Sequence, residues 1–162
     1  MVNESLATYL NDHLAGSVVA LELLEHLAAE QTEAPRGRIL ETLRADIMAD
    51  RETLEALMAQ LAITPSRPRQ ATAWLVEKFS ELKLRLDDLA GNALHQLEGL
   101  EAVALGIGGK IALWNALAAV RDDIPELGHL DYPRLLQRAG EQREVIEKLR
   151  LDAARAAFTG TV

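Results

Sequence analysis

An all-α fold, a bundle of long helices packed side by side, is what this sequence predicts, and three observations predict it. The chain is 49% hydrophobic but only 4% aromatic, so aliphatic side chains with high helix propensity must fill its core. Apolar residues recur at three- and four-residue spacing through several long segments, placing them on one face of a helix. Proline and glycine cluster in the short stretches between those segments and are where the rods should end. With 162 residues and no compositional break, residues 1–162 read as one domain.

The first helix is expected from Asn3, an N-cap by type, to about Glu30, with Leu6, Leu10, Leu14, Val18, Leu21, Leu24 and Ala28 as its core stripe. Gln31 to Arg38 contains Thr, Pro and Gly and reads as a short connection to an antiparallel neighbour. The second helix is expected from Ile39 to about Ile63. Its seam runs Leu40, Leu43, Ile47, Asp50, Leu54, Leu57 and Leu61, so Asp50 stands where an apolar residue belongs. Arg51 and Glu55 form an ordinary surface pair one turn apart. Pro65 and Pro68 end this helix. A shorter amphipathic segment is expected over 70–86, with Trp74, Leu75, Phe79, Leu82 and Leu86 on its apolar side and Glu81 paired with Arg85. Asp88 or Asn92 should cap the next helix.

The run from Leu94 to Val120 is the most apolar of the chain. Leu97, Leu100, Ala104, Ile107, Ile111, Trp114 and Ala118 form one stripe, and Gly99, Ala102, Gly106, Gly109 and Ala116 a second of small residues. Each interior glycine costs a helix about 1 kcal/mol relative to alanine, so Gly99, Gly106, Gly108 and Gly109 imply compensation by a neighbouring backbone packed close. This run is therefore expected to be the most buried helix. Arg121 to Leu130 reads as a loop. Asp131-Tyr132-Pro133 opens a last helix to about Phe158, with Leu135, Leu136, Ala139, Ile146, Leu149 and Ala153 inward and Glu144 and Lys148 outward.

Several function classes fall away on composition. Without cysteine there is no disulfide, thiolate nucleophile or cysteine-held metal. A formal charge of −8 opposes a polyphosphate backbone, and no basic stripe with interleaved aromatics is present, so nucleic acid is not an expected partner. Glu98, Glu101 and Lys110 interrupt the apolar run, leaving uncharged stretches shorter than the roughly 20 residues that span a bilayer. The start of the sequence lacks a basic region followed by an apolar one, so a cytoplasmic location is expected. Gly106-Ile107-Gly108-Gly109-Lys110 fails the phosphate-loop spacing, because Lys110 precedes Ile111 and no strand leads in. None of Ser5, Ser17, Ser66 and Ser80 has the surroundings of a nucleophile elbow.

Two pairs of long helices with a shorter helix in the connection between them resemble the ferritin-like antiparallel four-helix bundle. The wording of several segments is also similar to an uncharacterised bacterial family of that superfamily: Tyr9-Leu10-Asn11-Asp12-His13-Leu14-Ala15-Gly16, Asp50-Arg51-Glu52-Thr53-Leu54, and Glu98-Gly99-Leu100 followed by Gly106 to Lys110 and Leu113-Trp114. The resemblance implies a fold rather than an activity. Metal-handling members of the superfamily use a carboxylate on each of two helices and a Glu-x-x-His on each of the others. Here the second and last long helices carry no histidine, and the lone Glu-x-x-His, Glu126 to His129, falls in a loop. Glu25 and His26 are adjacent in sequence and point to different faces.

The expectation is accordingly a bundle without the intact two-metal site, with no catalytic residue and no cofactor, and with a structural or interaction role. The alternative is an oxidoreductase binding iron or manganese through an atypical carboxylate set drawn from Glu22, Asp50, Glu98 and Glu101. Against it, Glu22, Glu25 and Glu98 read as solvated, and Asp50 and Glu101 as paired with cations inside the bundle. Lys110 lies on the far side of its helix from Glu101 and must find a carboxylate on another helix. Asp50 is the expected partner, forming an ion pair that fixes helix register. His13 reads as a core residue held by a hydrogen bond. A third reading is a carrier with an apolar cavity between helices. Association into a homodimer is expected, with Trp74, Phe79 and Trp114 as the first candidates for its contact.

Overall fold

A computed structural model of the protein describes residues 3–66 and 93–160, and among these it contains four long helices and no strand. Helix α1 spans Glu4–Ala29, α2 Ala34–Gln60, α3 Ala93–Ala119 and α4 Tyr132–Thr159; a 3-10 turn, Pro125–His129, precedes α4. The segment expected over 70–86, with Trp74 and Phe79, lies outside the described residues.

Local chemistry explains the ends. Asn3 caps α1, its side chain accepting from the Ser5 N–H at 2.9 Å. Asp131 does the same for α4 through Arg134 N–H at 3.1 Å, and Gly160 closes that helix in the left-handed conformation at φ 65°. Helix α2 begins five residues earlier than its expected start at Ile39. Pro35 sits in its first turn, where a missing N–H removes no helical bond, so the residue read as loop is a helix opening. At the other end Ala62 takes φ 53°, letting Ile63 N–H reach Met58 C=O at 2.8 Å and Ala62 N–H reach Ala59 C=O at 3.0 Å. That is a two-bond helix stop of the kind usually built on glycine.

The helices pair as α1 with α2 and α3 with α4, the two largest contacts; α1 also crosses α3, and α2 faces α4. Gly99 approaches Leu27, and Gly106 approaches Ala20, so α1 and α3 are antiparallel. Arg36 reaches the Leu149 carbonyl while Asp50 meets Arg138, so α2 and α4 are antiparallel as well. Each short loop reverses the chain, which makes α2 and α3 parallel and gives an up, down, down, up order. Beyond the end of α2, Asn11 of α1 holds the chain at Ser66: its carboxamide oxygen accepts Ser66 N–H at 2.7 Å, and its nitrogen donates to Ala7 C=O at 2.9 Å.

Two apolar clusters are stacked along the bundle. The one toward the α1–α2 loop holds Leu24, Leu27, Leu40, Leu43, Val103, Ile107 and Ile146. The other holds Leu10, Leu57, Met58, Leu113, Trp114, Leu117 and Tyr132, whose hydroxyl donates to the Leu127 carbonyl at 3.0 Å. Each fully buried Leu or Ile contributes about 1.5 to 3 kcal/mol. All six apolar seam positions expected for α2, from Leu40 to Leu61, are buried.

Helix α3 carries more buried positions than any other described helix, but its small-residue stripe is only partly covered. Gly99 and Ala102 are buried, whereas Gly106 and Ala116 are exposed. A Cβ at Gly99 would stand 3.0 Å from a Leu27 methyl; at Gly106 and Gly109 it would find ordinary contacts at 3.8 and 3.9 Å, and at Gly108 nothing within 4 Å. Close packing thus explains Gly99 and not the others. Gly108→Ala is expected to stabilise the protein by about 0.5 to 1 kcal/mol through helix propensity, read from the urea midpoint. A loss of stability would show that the backbone there needs its freedom. By length and composition α3 could cross a membrane, although a third of its most apolar window is buried within the bundle.

Candidate functional site

Between the two apolar clusters the bundle has a polar waist. Asp50 follows Ile47 and precedes Leu54 on the α2 seam; Lys110 lies between Ile107 and Leu113 on α3; Gln142 lies between Ala139 and Ile146 on α4. Helical periodicity turns all three toward one level, and Arg138, one turn before Gln142, reaches it from the side. The Asp50 carboxylate is 3% exposed. Its Oδ1 accepts from Arg138, and its Oδ2 accepts from Lys110 and, at 2.9 Å, from the Gln142 amide nitrogen. Lys110 also donates to the Gln142 carbonyl oxygen, which closes a ring of contacts through three helices.

One buried carboxylate thus faces two cations. Burial depresses the Lys110 pKa below the ordinary 10.5, only partly opposed by attraction to Asp50, so desolvation is felt even inside the pair. Lys110 has three N–H donors and two protein acceptors, which leaves one donor uncommitted among the described residues. Arg138 keeps a buried Nε with no partner there.

A cleft of about 350 Å³ opens beside this waist, between α1 and α3 with α2 behind. Gly16, Ser17 and Ala20 of α1 and Gly106 and Gly109 of α3 form its narrow walls, and Asp50 and Lys110 line it as well. The gap exists because neither helix presents a large side chain at that crossing. His13 stands at the same wall, edge-on to Tyr9 with ring centroids 4.6 Å apart. Burial lowers its pKa below 6.5 despite nearby Asp12, so the ring is neutral at pH 7. No described residue hydrogen-bonds the ring, which corrects the expectation of a hydrogen-bonded core histidine: it borders a cleft.

The other sequence-nominated carboxylates do not join Asp50. Glu22 is exposed on α1. Glu98 meets His95 at 3.3 Å within α3. Glu101 pairs with Arg150 at 3.1 Å, on the bundle surface rather than in its interior, since its side chain is half exposed. Glu25 pairs with Arg44 on the outside. Among the described residues no three metal-binding side chains come together. Asp50 itself does not fit a divalent ion, because its oxygens are occupied by two cations and an amide that would repel or be displaced by the metal. Trp114, expected at a dimer contact, is 1% exposed and belongs to the core.

Gln142 and Arg138 are not among the residues that the sequence singles out. Gln142 carries a signal of the same kind as Asp50, a polar residue in the apolar series Leu135, Ala139, Ile146, Leu149. Arg138 carries none, because an arginine beside a helix seam usually extends into water. Comparison of the chain with protein-family models, with curated proteins and with solved structures finds no match.

Proposed function

We propose that this is a ferritin-like bundle in which an ionic lock holds the waist, and that it works as a non-enzymatic structural or interaction module in the cytoplasm. The observation carrying the proposal is the saturation of Asp50, the one buried carboxylate among the four nominated, by Lys110, Arg138 and Gln142. Superfamily members that handle metal place carboxylates and histidines inside the bundle. Here the inward positions at that level combine one anion with two cations, an arrangement that ties α2, α3 and α4 in register and repels a divalent ion. The helix order, with a single long connection between parallel α2 and α3, supports the ferritin-like assignment. Formation of a homodimer is part of the proposal, with Leu105, 76% exposed beside the cleft, available to a second copy in place of Trp114.

The test is metal content. Protein stripped with chelator, then incubated anaerobically with ferrous iron or manganese and desalted, is expected to retain well under one ion per chain by elemental analysis. Retention of one or two ions per chain, abolished by Asp50→Ala, would overturn the proposal in favour of a carboxylate metal site. Sedimentation of the same material reads the oligomer.

A further inference from the structure

The cleft between α1 and α3 has the composition of a ligand site rather than of a packing fault. Its volume is within the range of small-molecule pockets, roughly 300 to 1,000 Å³. At about 30 Å³ per water-sized group it has room for on the order of a dozen non-hydrogen atoms. Its sides are apolar, with Ala102, Leu105, Ile107 and Leu113 flanking the space. Its polar lining includes Lys110 with a donor to spare and His13 with no hydrogen bond from any described residue, beside Asp12, Asp50 and Arg51.

Charge selects the kind of head group. At the waist Lys110 and Arg138 share the Asp50 carboxylate, and Lys110 is the cation of that set that lines the cleft. Asp46, exposed toward the opposite groove between α2 and α4, attracts Lys110 without an ion pair to it among the described residues, and Asp12 lines the cleft at the His13 side, partly open to water. Arg51, which also borders the cleft, is paired with Glu55 at 2.8 Å. A cationic ligand would meet Lys110 head on. An uncharged apolar ligand would leave the spare Lys110 donor facing it. A carboxylate satisfies that donor with a charge-assisted hydrogen bond, and it can also accept a hydrogen bond from the neutral His13 ring.

We propose that the α1/α3 cleft binds a small monocarboxylate with an apolar body, its carboxylate on Lys110 and His13 and its hydrocarbon between the small residues of the two helices. Gly106 and Ala20 leave the body its space; Lys110 sets the polarity. The site is independent of the metal reading, since stripped protein that rejects iron still has the cleft.

Octanoate, with ten non-hydrogen atoms, is the probe, and 1-octanol is its uncharged counterpart. Titration calorimetry of the full chain is expected to show saturable one-to-one binding of octanoate at least 10-fold tighter than 1-octanol. Lys110→Met should reduce that affinity 10-fold or more. Gly106→Leu, at an exposed helical position where a Cβ meets only ordinary contact, should fold normally and abolish binding by filling the cleft. The proposal fails if octanoate does not bind at millimolar concentration, binds no tighter than octanol, or binds Gly106→Leu as well as the parent. Should Lys110→Met fold poorly, the octanol comparison and Gly106→Leu still decide.

Discussion

Replacing Asp50 with leucine is expected to destabilise the protein by about 3 to 5 kcal/mol, because it leaves Lys110 and Arg138 facing each other in a buried waist with no anion between them. For a chain of this size that is a fall in Tm of roughly 6 to 20 °C, at about 2 to 4 °C per kcal/mol. The effect is a property of the mismatch rather than of any attraction lost. Lys110→Met should cost less, since Asp50 would still accept from Arg138 and Gln142. Combining Asp50→Leu, Lys110→Met and Gln142→Leu should recover most of the stability, as buried ion pairs replaced together by apolar groups are often neutral. Urea unfolding with an unchanged m-value measures all three. If Asp50→Leu alone costs under about 1 kcal/mol, the waist is wet and the lock carries nothing.

The second large effect belongs to Trp114. Its indole fills the middle of the cluster formed by Leu10, Leu57, Leu113 and Leu117, and Trp114→Ala is expected to cost about 3 to 5 kcal/mol through lost burial and the cavity left behind. Trp114→Phe should cost much less. The indole N–H is buried with no acceptor among the described residues, so phenylalanine surrenders no hydrogen bond while keeping most of the ring. Near-equal losses for the two variants would mean that the N–H has an acceptor after all. Sedimentation of Trp114→Phe should match the parent, because a core side chain does not reach a partner.

Those two residues show where reading the chain succeeds and where it does not. Asp50 is conspicuous because it breaks an apolar seam, and Lys110 because it interrupts the most apolar run; pairing them needs only the rule that a buried charge seeks an opposite one. The helices themselves are visible in the spacing of leucines, and the starts announced by Asn3 and Asp131 are correct, while Asp88 and Asn92, the cap candidates for α3, lie outside the described residues. Pro35 misleads because proline is compatible with both a loop and a first helical turn. Trp114 is read both on the core stripe, where it lies, and as a contact candidate, because an aromatic on an apolar face looks the same whether the face meets its own bundle or another molecule.

The glycines of α3 mark the limit more sharply. Their helical spacing says that something small is wanted along that face, but not whether the space is filled. At Gly99 a leucine from α1 occupies it; at Gly106 and Gly109 the two helices stay far enough apart to leave a cleft. The difference comes from the crossing of two rods, which no single segment encodes.

Periodicity and composition therefore settle four long helices and the two buried charges from the chain alone, since both arise from local spacing and from the cost of hiding polarity. Which helices run parallel, that Arg138 and Gln142 complete the lock, and that the small residues border an opening rather than a seam are decided by assembly, because each depends on distances between segments far apart in sequence.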